Sequence, residues 1–182
     1  MVTDLFLDYG KRWEKFFGQK NRIGTCPALD LLFPYMTVHE TLTYFAKIRN
    51  LTENEVLVQV PEILKITNLD EHEYYLVKAL STSITKKLQL AIALLGYPSL
   101  VFLDEITSGN SYLYFPNKFN WNQNCCSGLS RQDKKEIWRI IKNFNNERRT
   151  TFILSTKSFE EAEEISDRIA LLYRGIHPFL SL

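Results

Sequence analysis

The run Leu100-Val101-Phe102-Leu103-Asp104 limits what this chain can become more than any other stretch. It is apolar until its last residue, too short for a stable helix, and followed by a second acid, Glu105, and the turn formers Thr107, Ser108 and Gly109. Such a run reads as a strand buried on both faces, the habit of parallel sheets. A second run of this kind, Thr-Thr-Phe-Ile-Leu at 150–154, follows a stretch that carries Ile137, Ile140, Ile141 and Phe144 on one helical face. Ser158-Phe-Glu-Glu161 reads as a capping box opening a short acidic helix, and Arg-Ile-Ala-Leu-Leu-Tyr at 168–173 as a last strand. Strands alternating with helices predict an α/β fold with a parallel sheet and helical crossovers.

The first half of the chain is organised differently. Residues 1–22 are basic and aromatic without a clear period, and Arg-Ile-Gly-Thr-Cys-Pro-Ala-Leu-Asp at 22–30 reads as a short strand entering a turn. Thr37-Val-His-Glu40 and Thr52-Glu-Asn-Glu55 are capping boxes, each marking a helix start. Val38, Leu42, Phe45 and Ala46 form the apolar stripe of the first helix, and Val56, Val60, Ile63 and Leu64 that of the second. Pro61 lies inside the second and is expected to kink or split it. Ser81 caps a third helix with Ile84, Leu88, Ala91, Ile92 and Leu95 on its apolar face, closed by Pro98. With no strand between these helices, residues 37–97 read as a helical subdomain inserted into the sheet, within one partial domain spanning 1–182.

Composition removes several classes. A net charge of +1 gives no electrostatic reason for nucleic-acid binding, so no nucleic-acid partner is expected. No apolar window of about eighteen residues occurs, so the chain is not expected to span a membrane by itself, and the mixed N-terminus does not read as a signal peptide. Three cysteines, Cys26, Cys125 and Cys126, lack metal-ligand spacing and read as reduced thiols of a cytosolic setting. His39, His72 and His177 read as ordinary surface residues, and Lys86 and Lys87 as the solvated face of the third helix. Residues 110–126 have no helical or strand period and are flanked by Ser108-Gly109 and Ser127-Gly128. They read either as a long surface loop or as a foreign unit such as a retained intron, since structureless loops beyond about 12–15 residues are uncommon in compact domains.

An acid at the carboxyl end of a parallel strand stands where such sheets bind ligands. In nucleotide-hydrolysing folds the first acid of such a pair holds Mg²⁺, and the next can act as general base on water. The plain alternative is a pair of turn acids. The pair has company, however. Residues 22–50, then Leu80-Ser-Thr-Ser-Ile-Thr-Lys-Lys-Leu88 through Gly109, then Phe152 to Gly175, resemble in order and spacing the nucleotide-binding domain of ATP-binding cassette (ABC) transporters, above all the lipid-moving A subfamily. The resemblance covers 22–109 and 129–175. It implies a partial P-loop NTPase-type sheet, ATP and Mg²⁺ as cofactors, a second nucleotide-binding domain and a transmembrane domain as partners, and a place on the cytoplasmic face of a membrane as part of a transporter.

Residue by residue, the resemblance makes Asp104 the magnesium acid and Glu105 the catalytic base of the Walker B strand, with Ile106 where the family has proline. It makes Ser81 and Thr82 phosphate-facing residues of the signature loop, although Thr82 and Ser83 replace the family's two glycines and crowd a close backbone approach. Ala28 replaces the glutamine of the Q-loop, and Lys157 stands at the switch histidine, able to meet a phosphate as a point charge only. Phe33 and Tyr35 fall where the family meets its membrane domain. The D-loop is either interrupted by 110–126 or reads Ser127-Gly128-Leu129-Ser130. The P-loop pattern GxxxxGK[ST] occurs nowhere in these 182 residues, as if the chain began after it. The resemblance therefore implies a nucleotide-binding-domain segment incapable of hydrolysis alone. Alternatives are a non-catalytic domain of the same fold, a truncated gene product, or a RecA-like DNA-handling ATPase, the last disfavoured by the signature block and the balanced charge.

Overall fold

The computed structural model describes residues 23–29, 32–107 and 129–171, and the backbone of 179–180. The lead-in 1–22, the segment 110–126, both Ser-Gly pairs, Cys125, Cys126 and His177 lie outside the described residues.

Among the described residues the chain is α/β. A parallel sheet of β1 (Ile23–Cys26), β2 (Leu100–Asp104) and β3 (Thr151–Ser155) runs in the spatial order β1-β2-β3. Its register pairs Gly24 with Val101 and Val101 with Phe152, then Cys26 with Leu103 and Leu103 with Leu154. Between β1 and β2 come α1 (Val38–Ile48), α2 (Glu53–Ile66), two 3₁₀ turns and α3 (Thr82–Leu94). Between β2 and β3 comes α4 (Arg131–Arg148), and α5 (Phe159–Ile165) follows β3. Among its described residues, the stretch expected as a last strand supplies the two-residue β4 (Ile169–Ala170), paired antiparallel with β5 (Phe179–Leu180).

The helix starts form as their sequences dictate. Thr37 accepts a hydrogen bond from the Glu40 N–H, and Glu40 accepts one from the Thr37 N–H at 2.8 Å. Thr52 and Glu55 repeat the exchange, the return bond being 2.7 Å. Each box satisfies amide donors that a helix otherwise leaves bare. The box at 158–161 is only half formed. Ser158 accepts from the Glu161 N–H, but the buried Glu161 carboxylate turns inward to the Trp138 indole N–H at 3.2 Å and the Thr156 hydroxyl at 2.5 Å. α2 runs unbroken through Pro61. The carbonyl that proline leaves without a donor belongs to Leu57, which is exposed, so water can satisfy it.

All helices that pack on the parallel sheet cover one face. Gly24, Val101 and Leu103 face them, and a Cβ on Gly24 would lie 2.1 Å from the Ala93 carbonyl oxygen of α3. Phe144 of α4 meets Phe152 edge-on, ring centres 6.3 Å apart, from the same side. The strand order never reverses, so right-handed crossovers bring the helices between these strands to the same side. The runs at 100–104 and 150–154 are therefore not buried on both faces as expected. Phe102 is 41% exposed and Ile153 50% exposed. The core is the single layer between sheet and helices, built on Leu42, Ile63, Leu88, Leu94, Val101, Ile137 and Phe144.

α3 differs most from its sequence reading. Its Ser81 cap forms, accepting from the Ile84 N–H, and Leu88, Ala91 and Leu95 are buried. Lys86 and Lys87 are buried as well, at 0% and 5% exposure, not solvated. The Lys86 ammonium reaches the Ala28 carbonyl and the Gln89 side-chain oxygen, both at 3.0 Å, and Gln89 donates to the Leu29 carbonyl at 3.2 Å. Two long polar side chains thus hold the backbone just after β1. Lys87 pairs with Glu136 of α4 at 2.8 Å. A buried cation needs such partners to offset its desolvation.

Candidate functional site

β2 ends at Asp104, and the next residue turns sharply. Glu105 has φ of 45°, in the left-handed region that a side chain adopts only at a cost. Its N–H still reaches across to the Ser155 carbonyl of β3 at 3.0 Å, extending the ladder by one bond. Ladder and reversal together set two carboxylates side by side at the carboxyl edge of the sheet.

Both carboxylates are met by the chain leaving β3. Asp104 accepts a hydrogen bond from the Ser155 hydroxyl. The Lys157 ammonium lies 2.6 Å from a Glu105 carboxylate oxygen, with Glu105 mostly covered and Lys157 86% exposed. The Glu105 hydrogen bond, then the charges of Glu105 and Asp104, hold the Lys157 ammonium above its ordinary range. Asp104, Glu105 and Lys157 are thus brought together as the parallel register requires: β2 and β3 end level, with Asp104 opposite Ser155.

Ser81 and Thr82 stand elsewhere, at the N-terminus of α3. The Ser81 hydroxyl caps its own helix. The next residue, Ser83, is not turned outward: its hydroxyl donates to Asp133 of α4 at 2.8 Å. Asp133 also accepts from Ser130, and these hydrogen bonds, that of Ser130 first, hold its carboxyl below the ordinary range. Sequence reasoning singled out neither Asp133 nor Ser83's inward role, because a contact between α3 and α4 leaves no periodic trace.

Both acids already have partners within the chain: Asp104 accepts from the Ser155 hydroxyl, and Glu105 pairs with the Lys157 ammonium. For a triphosphate, the chain presents a lysine and a capped helix start but no glycine-rich cradle. Among the described residues no helix is long and apolar enough to cross a membrane. Around the loop after β1 and the turns before α3, Phe33, Tyr35, Tyr44, Tyr74 and Tyr75 are at least two-fifths exposed. The Lys78 ammonium sits 4.7 Å over the Tyr35 ring.

No family model matches the chain. Curated proteins do. ATP-binding cassette sub-family A member 13 of Homo sapiens is 34% identical over 155 residues, 84% of this chain and 3% of that protein. The glucosylceramide transporter ABCA12 of Homo sapiens is 33% identical over 158 residues, 86% of this chain and 5% of its own length. ABC transporter A family member 9 of Dictyostelium discoideum is 31% identical over 153 residues, again 84% of this chain, and 16% of that protein. The chain thus spans less than a fifth of the length of these relatives.

Proposed function

We infer that this chain, an A-subfamily ABC domain by its homology over most of its length, is part of the nucleotide-binding domain of a transporter and works there without hydrolysing ATP itself. In the family's terms Asp104 and Glu105 are its Walker B acids, Ser81 and Thr82 its signature residues, and Lys157 its switch residue. ATP and Mg²⁺ are then ligands of the assembled transporter. The partners are a second nucleotide-binding domain at the sheet edge and a transmembrane domain at the aromatic patch around Phe33 and Tyr35. Lipid as cargo is supported by the name of the glucosylceramide transporter among the relatives.

One observation carries the non-hydrolytic part. The residue that should act as base is engaged by Lys157 at 2.6 Å. The ammonium occupies a carboxylate oxygen that a general base would turn toward the attacking water. Ala28, where the family has a glutamine, acts in the same direction, since phosphoryl transfer depends on positioned donors and charge; losing one such donor typically costs about 10²–10³ in rate. The non-catalytic alternative within the same fold is therefore favoured over a working ATPase. The test is steady-state ATP turnover by the purified chain beside its Glu105→Gln variant. The two are expected to be indistinguishable. Turnover in the parent chain that vanishes in Glu105→Gln overturns the reading.

A further inference from the structure

The exposed lysine at the sheet edge has a second consequence. Two adjacent carboxylates at a strand end repel each other and attract any small cation. Here a cation is supplied from within the chain. Lys157 reaches Glu105 from the segment between β3 and α5, and it also feels the charge of Asp104. The Ser155 hydroxyl takes the remaining acid without adding charge. Glu105 stands in a backbone conformation costly for a non-glycine residue, with its carboxylate at the Lys157 ammonium.

We propose that Lys157 is a built-in counter-ion for the Asp104–Glu105 pair, filling with its ammonium the electrostatic role of a divalent cation, so that this edge of the sheet does not take up such a cation. The inference rests on the assignment of Asp104 and Glu105 as nucleotide-site acids, and it adds that their charge is compensated from within. A single positive charge offsets one of the two carboxylates and leaves a net charge of −1. A dication approaching that remainder also meets the ammonium a few ångströms away. Since Lys157 is 86% exposed, its removal leaves no hole in the core, and the change should stay electrostatic.

The test uses Mn²⁺ alone, without nucleotide, with the free ion followed by electron paramagnetic resonance during titration of the full chain. Wild type and Asp104→Asn should bind Mn²⁺ equally weakly. Lys157→Gln should bind about three- to tenfold more tightly, the effect of removing one unit charge close to the ion at a screened surface. The gain should disappear in Lys157→Gln/Asp104→Asn, and Lys157→Arg, which keeps the charge, should behave as wild type. Circular dichroism melts confirm that each variant is folded. The inference is overturned if Lys157→Gln binds no more tightly than wild type, or if its gain survives Asp104→Asn. Glu105-dependent ATP turnover together with the expected Mn²⁺ pattern would refute the non-hydrolytic reading and leave the counter-ion intact, so the two failures are separable.

Discussion

Lys86 shows how a single residue can be misread from its type and placed correctly only by its neighbours. A lysine at the start of an amphipathic helix ordinarily marks the wet side. Here the wet side is occupied by the loop after β1, whose Ala28 and Leu29 carbonyls point at α3 and need donors. Lys86→Met keeps most of the volume and strips the donors. We expect it to lower unfolding free energy by about 1–3 kcal/mol in urea titration, the cost of leaving buried acceptors unmade. A loss under about 0.5 kcal/mol, the range of ordinary surface changes, would return Lys86 to the surface role its spacing suggested. Gly24 makes the complementary point. Nothing in Ile-Gly-Thr-Cys distinguishes a glycine needed for space from one needed for flexibility; the 2.1 Å that would separate an added Cβ from the Ala93 carbonyl oxygen identifies it as space.

At the scale of elements, local chemistry was legible and long-range chemistry was not. Thr37 with Glu40 and Thr52 with Glu55 are recognisable because both halves of each interaction lie three residues apart. The same pattern at 158–161 misleads by half, since Trp138 and Thr156 compete for Glu161 and neither can be found by reading locally. The acid pair was legible as a strand end. Its engagement by Lys157 depends on β2 and β3 ending in register, which a sequence does not display. The contact from α3 to α4 through Ser83 and Asp133 is of this hidden kind and has a pH signature. The Asp133 carboxyl titrates below its ordinary 3.8 in the folded chain. The Glu136 carboxyl, held first by Lys87, titrates below its ordinary 4.5. Depressed carboxyl values mean that the folded state releases protons the unfolded state would hold. The stabilisation is complete above about pH 5 and is lost as the pH falls through the folded values. Asp133→Asn should cost about 1 kcal/mol at pH 7 and flatten the decline in melting temperature between pH 5 and 3. An unchanged acid slope would exclude the contact as a source of acid sensitivity.

For the whole molecule, the informative feature is the one-sided sheet. Apolar runs state that both faces of a strand are meant to be dry. They do not state what dries them, and here the strand order sends the helices between these strands to one side. Phe102 and Ile153 should therefore bind the dye ANS in the isolated chain, and Phe102→Ser/Ile153→Ser should at least halve that fluorescence with a melting temperature within a few degrees of wild type. Undiminished fluorescence would place the sticky surface elsewhere, the exposed aromatics around Tyr35 being the next to examine.

α4 is fastened along its length to the layer beside it: Asp133 to Ser83, Glu136 to Lys87 and Asn68, Arg148 to Glu62. Its other flank is seated on the strands through Phe144 and Phe152. Held on both flanks, α4 is the element that joins the helical layer to the strands, and through Phe152 and the β2–β3 ladder to the strand tips that carry Asp104 and Glu105.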